Sequence, residues 1–258
     1  MWFDSHAHPT AEGWSRELEA MREQEVGGLV VVGTSVASSA AAVRLVQEVR
    51  QQNPELTVGV AVGIHPHDAD SVTEESLGAL EEMIKENPDI VCGVGECGLD
   101  LFYEYSNPEH QEEAFRAQIA LAKRFDRTLV IHTRDAWEDT FRIFDDEGVP
   151  ERLIMHCFVG GPDEARRSLD YNAYLSFSGI ATFKNAEDVR QAYMVAPLER
   201  ILVETDAPYL APVPLRGRPN LIGNVAITGS FLAELRGIPS EDFARLTWQN
   251  TIDVFQLN

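Results

Sequence analysis

A (β/α)8 TIM barrel, an α/β fold, is what this sequence predicts, and three observations predict it. Short continuous apolar runs alternate with amphipathic helical patterns, eight times over, as in a parallel sheet covered by helices. The length, 258 residues, is about that of one closed barrel. Side chains able to hold a metal fall at the ends of those runs, and a barrel gathers such ends at one mouth. The competing architecture, an open doubly wound sheet, usually has fewer strands and a glycine-rich loop after the first. No GxGxxG follows the first strand here.

That strand opens with Met1-Trp2-Phe3 and runs into Asp4-Ser5-His6-Ala7-His8-Pro9. Strand residues two apart share a face, so His6 and His8 project together, and Pro9 ends the strand. The glycine-bounded run Gly28–Gly33 reads as a strand buried on both faces, flanked by helices over 15–25 and 38–51. The third run, Thr57–Ile64, ends at His65-Pro66-His67. A helix begins near Thr73, where Thr-x-x-Ser offers an N-cap without a full capping box. The fourth run, Ile90–Gly95, ends at Glu96. A helix over 108–124 leads to Thr128–Ile131, which ends at His132. The helix 137–147 precedes Arg152–Met155, which ends at His156. Helix 162–170, strand 173–177 and helix 188–195 follow, and then Ile201–Thr205 ends at Asp206. Helices over 224–236 and 240–255 close the chain. With no linker, repeat or low-complexity stretch, the expectation is one domain over residues 1–258.

Composition narrows the function. Apolar residues make up 44% and charged residues 24% of the chain, as in an ordinary soluble protein. No apolar run reaches the ~20 residues that span a bilayer, and the start lacks a basic segment followed by an apolar one. Cys92, Cys97 and Cys157 have no CxxC spacing, so the expected compartment is reducing, the cytoplasm. The formal net charge of −21 repels polyanions at long range, so any nucleic-acid role rests on a local site.

His6, His8, His65, Glu96, His132, His156 and Asp206 all fall at strand ends, none at strand starts. That clustering points to a metal site of imidazoles and carboxylates. Glu204 lies two residues before Asp206 and Asp4 two before His6, so each is expected to share its partner's inward face. Either would orient a ligand imidazole or bond nearby backbone. Cys97 and Cys157 have the opposite parity to Glu96 and His156 and are expected to pack against the outer helices.

The motifs Ser5-His6-Ala7-His8, Gly63-Ile64-His65-Pro66-His67, Gly95-Glu96-Cys97-Gly98-Leu99-Asp100, His132-Thr133-Arg134-Asp135-Ala136, His156-Cys157-Phe158 and Glu204-Thr205-Asp206-Ala207-Pro208-Tyr209-Leu210 stand in this order. Together they resemble the TatD family of metal-dependent hydrolases, TIM barrels of the amidohydrolase superfamily whose characterised members are deoxyribonucleases. The resemblance runs from Trp2 to about Pro219. It implies two divalent ions, one held by His6, His8 and Asp206, the other by His132 and His156, with Glu96 bridging them. Zn²⁺, Mn²⁺ and Fe²⁺ suit that donor set, and Mg²⁺ often supports the family's nuclease activity.

The expected chemistry is hydrolysis by a metal-activated water, with Asp206 as general base and Glu96 as the second catalytic carboxylate. His65 and Arg134 are the expected substrate contacts, the arginine either clamping a phosphate or pairing with Asp135. His67 either contacts substrate or caps a helix. Tyr103 and Tyr105 either stack on a base or pack. The family's Arg-Gly…Asn-Glu-Pro signature is altered, with Leu221 where a glutamate is expected, which bears on support of Asp206. The leading expectation is a phosphodiesterase acting on a nucleic-acid end, without membrane or obligatory protein partner. A deacylase of carboxylic esters or amides is the alternative, and a metal-binding protein without turnover is the third reading.

Overall fold

The computed structural model describes residues 1–103 and 105–257. Its eight strands are β1 (Trp2–Ala7), β2 (Val26–Val32), β3 (Thr57–Val62), β4 (Val91–Asp100), β5 (Thr128–Arg134), β6 (Leu153–Met155), β7 (Tyr174–Phe177) and β8 (Ile201–Val203). They pair in sequence order, each parallel to the next. Helices α1 (Trp14–Glu23), α2 (Val36–Gln52), α3 (Glu74–Glu86), α4 (Pro108–Phe125), α5 (Trp137–Glu147), α6 (Pro162–Asp170) and α7 (Glu187–Val195) alternate with them, and α8 (Val225–Leu235) and α9 (Ser240–Phe255) follow. This is the (β/α)8 barrel.

Closure between β8 and β1 relies on residues just past the regular ladder. The Asp206 N–H donates to His6 O at 3.0 Å and the His8 N–H to Ala207 O at 2.8 Å. The ring is therefore sewn shut within the run of candidate ligands.

Two apolar clusters follow from strand alternation. Phe3, Val30, Ala61, Val130, Ile154 and Leu202 come from six different strands and touch one another, so they fill the barrel interior. Phe255 and Leu257, at the end of α9, join that cluster and plug the end away from the mouth. Alternate residues such as Leu29, Val31, Leu129 and Ile131 belong to the larger layer under the helices. Cys97 lies in that outer layer, as its parity requires.

Two departures from simple alternation matter for function. Between Asp4 and Ala7 the first strand spends three steps while β2 spends two. Between Val94 and Cys97, β4 likewise spends three against two of β5. Each extra residue is a β-bulge, which re-aims the side chains around it. Ser5, not Asp4, faces the interior, where its Oγ meets Ser176 Oγ of β7 at 2.9 Å. The expectation that Asp4 shares the face of His6 fails because the bulge resets the alternation. The fourth strand also runs past Glu96 to Asp100, longer than the apolar run predicts, because Gly98 lets it lie close against β5.

Candidate metal centre

Each candidate ligand is delivered to the mouth by its own strand. His6 lies in the bulged end of β1 and His8 just past it; Glu96 sits in the bulge of β4. His132 is within β5, and His156 directly follows β6. Asp206 lies three residues past β8 with φ of +56°, in the left-handed region. Backbone held there by its surroundings is a mark of functional sites. Buried Asn220 supplies that hold: its Nδ2 donates to Thr205 O at 2.9 Å and its N–H to Pro208 O at 3.0 Å. Leu221 brings no carboxylate to this loop. The next N–H, that of Ile222, instead donates to Glu17 Oε2 of α1 at 2.8 Å.

Glu96 is the hub. Its Oε2 lies 3.3 Å from His6 Nε2 and 3.6 Å from His8 Nε2. Its Oε1 lies 2.9 Å from His132 Nδ1, 3.0 Å from His156 Nε2 and 3.3 Å from His65 Nε2. One oxygen thus serves each half of the cluster. Asp206 Oδ1 faces the first half, 3.3 Å from His8 Nε2 and 3.9 Å from His6 Nε2.

Most of these imidazoles have their second nitrogen fixed. His156 Nδ1 lies 3.0 Å from Glu204 Oε1, His132 Nε2 lies 3.1 Å from Asp100 Oδ2, and His8 Nδ1 lies 2.8 Å from Val32 O. An acceptor behind the ring fixes the tautomer and leaves the front nitrogen free to ligate. Glu204 therefore orients a ligand ring. Asp4 does the other thing expected of it: it accepts from Thr205 Oγ1 at 2.5 Å, from Thr205 N–H at 2.9 Å and from His6 N–H at 3.2 Å.

His65 differs from the others. Its Nδ1 accepts the His67 N–H at 3.1 Å, so in the neutral ring the proton sits on Nε2. That nitrogen is a donor aimed into the mouth, which suits a substrate contact better than a ligand.

Burial is the largest influence on each charged group here, and it is overridden selectively. The His156 and His65 charges, with bonds from His132 and His156, outweigh burial and hold Glu96 well below the carboxylate range. Asp206 is held low against burial by its bond to His8 and the charge of His156. Conversely, Glu96 and Glu204 overcome burial and raise His156 well above the imidazole range. Asp206 raises His8, and Asp100 with Glu96 raises His132. Burial prevails at His6 and His65, which fall. The carboxylates thus demand positive charge at this spot, which protons or cations can satisfy.

The residues fit a divalent metal. Ligand atoms of His6, His156 and Asp206, of His6, His8 and Glu96, and of His65, Glu96 and His132 lie within 4.8 Å of one another in each group. At the front of the cluster His6 Nε2 and His8 Nε2 face each other at 3.1 Å beside Glu96 Oε2, a close set of donors that a cation between them would satisfy. Nitrogen and carboxylate donors suit Zn²⁺, Mn²⁺ or Fe²⁺.

Two further residues belong to the site. Asp100 Oδ2 holds both His132 Nε2 and His67 Nε2, the latter at 2.9 Å. Its signal was its place in the Gly-Glu-Cys-Gly-Leu-Asp run, but only the extension of β4 puts it at the mouth. Arg134 neither pairs with Asp135 nor reaches the cluster; its guanidinium lies 4.0 Å over the Phe102 ring and 4.7 Å over that of Tyr103.

Comparison with known proteins finds relatives over the whole chain. A family model described as "TatD related DNase" matches residues 3–256. The chain is 38% identical over 264 residues to the Bacillus subtilis protein named "Uncharacterized metal-dependent hydrolase YabD", covering 100% of both chains. It is 38% identical over 200 residues to the Escherichia coli K12 protein named "Uncharacterized metal-dependent hydrolase YcfH", covering 76% of this chain and 73% of that one. The crystal structure of YJJV, a TatD homologue from Escherichia coli K12, superposes with a TM-score of 0.90 at 26% identity, covering 100% of this chain and 98% of that one.

Proposed function

The chain belongs to the TatD-related DNase family of metal-dependent hydrolases, and from that premise we propose that it is a divalent-metal-dependent phosphodiesterase acting on nucleic-acid ends. The supporting observation is the division of Glu96, with Oε2 toward His6 and His8 and Oε1 toward His132 and His156. In this reading His6, His8 and Asp206 would hold one ion and His132 and His156 a second, with Glu96 available to both. The whole chain, 1–258, acts as one catalytic domain.

The chemistry that such ions would supply when bound is a water acidified to a pKa of about 7 and an offset to charge on phosphoryl oxygens. The protein's own groups do the rest. Asp206, an ionised carboxylate at the open side of the cluster, takes the proton from the attacking water. His65 Nε2 donates to a non-bridging phosphate oxygen, and Arg134 approaches from the rim of β5. Glu204 and Asp100 keep His156 and His132 from rotating.

Hydrolysis of a carboxylic ester or amide is the second reading, because the net charge of −21 favours a short substrate over long duplex. A turnover panel on chelator-stripped, remetallated protein separates the two. It sets bis(p-nitrophenyl) phosphate and a short single-stranded oligonucleotide against activated esters and acylated substrates. Metal-restored phosphodiester cleavage that is lost in Asp206→Asn supports the proposal; turnover confined to acyl substrates overturns it.

A further inference from the structure

Beside the metal cluster, the loop after β4 holds three aromatic rings in the open. Phe102 is 52% exposed, Tyr103 37% and Tyr105 65%. Rings of this size usually give up water contact on folding. Here they stay uncovered. Tyr103 and Tyr105 lie nearly parallel, with centroids 5.2 Å apart and planes at 16°. The Arg134 guanidinium carbon lies 4.0 Å from the Phe102 ring centroid and 4.7 Å from that of Tyr103.

The loop beneath them is anchored at both ends by one buried side chain. Gln111 Oε1 accepts the Asp100 N–H at 2.9 Å, while its Nε2 lies 3.2 Å from both Asp100 O and Ser106 O. Asp100 Oδ1 accepts the N–H groups of Phe102 and Tyr103, at 3.1 and 3.0 Å. Its other oxygen holds His132 and His67, so one carboxylate links the aromatic loop to the candidate metal cluster. The His67 ring stands between them, 4.8 Å from Tyr105.

We propose that Tyr103 and Tyr105, backed by Phe102 and Arg134, form a stacking platform for one nucleobase next to the bond that is cut. The inference rests on the phosphodiesterase reading of the same site. A chain of net charge −21 gains nothing from long-range attraction to phosphates, so affinity must come from short-range contacts. Base–aromatic stacking supplies roughly 5- to 150-fold per base and is indifferent to sequence, since every base has a π-face. An anchored loop contributes because little freedom is lost on binding.

The test is equilibrium binding of a cleavage-resistant phosphorothioate hexanucleotide to the metal-loaded protein, with each base in turn replaced by an abasic tetrahydrofuran. For the unmodified protein, removing one base near the cut end weakens binding roughly 5- to 150-fold. Tyr105→Ala abolishes that penalty, so removing the base then costs nothing, and Tyr105→Phe restores it. A merely structural tyrosine would not couple to one base in this way. The proposal is overturned if no position carries a penalty, or if the penalty persists unchanged in both Tyr105→Ala and Tyr103→Ala. Oligonucleotide cleavage with an unchanged penalty removes the platform alone. Turnover of acyl substrates only removes the phosphodiesterase reading and the platform with it.

Discussion

Five imidazoles lie within 3.6 Å of the Glu96 carboxylate, more than its lone pairs need from hydrogen bonds alone. Four of them, His6, His8, His132 and His156, are of value as ligands, and the last three have their orientation set from behind. Glu204→Gln, which keeps the shape but loses the charge behind His156, is expected to lower metal affinity about 10- to 100-fold, read by competition with a chromophoric chelator. Asp206→Asn is expected to cut turnover about 10²–10⁴-fold while the circular-dichroism spectrum and melting temperature stay put. The shifts also set a pH dependence. His8, His132 and His156 hold their protons above the ordinary imidazole range, so a metal must displace them. Affinity therefore falls as pH drops, by up to about tenfold per pH unit for each proton displaced. Zn²⁺ competition titrations from about pH 8 to 5.5 would show it, and a flat profile would contradict the assignment. At this scale the ligand types were legible, because strand-end histidines and carboxylates stand out in an apolar pattern. Asp100 was not, because its partners His67 and His132 lie 33 and 32 residues away and meet it only in the fold.

The two bulges do at the scale of strands what orienting carboxylates do at the scale of rings. Each inserts one residue just where His6 or Glu96 must turn into the mouth. Gly98 is part of that device: its φ is +136°, and a Cβ there would overlap His132 O on the paired strand. Gly98→Ala is expected to destabilise the protein by about 1–3 kcal/mol in urea unfolding and to weaken metal binding together with it. Loss of stability with metal affinity intact would show that the close approach of β4 to β5 does not position His132. Apolar runs bounded by glycine and polar clusters made the element order legible, and α5 and α6 begin and end where the pattern predicts. Bulges leave no such trace, since one extra residue does not alter an apolar run; that is why the parity argument failed at Asp4. At the start of α3 the pattern also undersold itself. Ser76 takes the part usually played by glutamate, its Oγ accepting the Thr73 N–H at 2.8 Å while its own N–H reaches Thr73 Oγ1 at 3.1 Å.

For the molecule as a whole, the barrel converts eight separate strand ends into one mouth, while the net charge of −21 repels polyanions at long range. No helix among the described residues is long and apolar enough to cross a membrane. The charge predicts an unusual salt response for a nuclease. Proteins that bind through many phosphate contacts lose about 10³–10⁵ in affinity between 50 and 200 mM salt. Here kcat/KM on a short single strand is expected to rise over the same range as repulsion is screened, measured from initial rates. In the proposed site two ions would flank Glu96. That arrangement is tested most directly by anomalous scattering from crystals of the Mn²⁺-loaded protein. The expected result is one peak contacted by His6, His8 and Asp206, a second contacted by His132 and His156, and Glu96 touching both. A single peak, or a second ion held by His65 in place of His156, would contradict it.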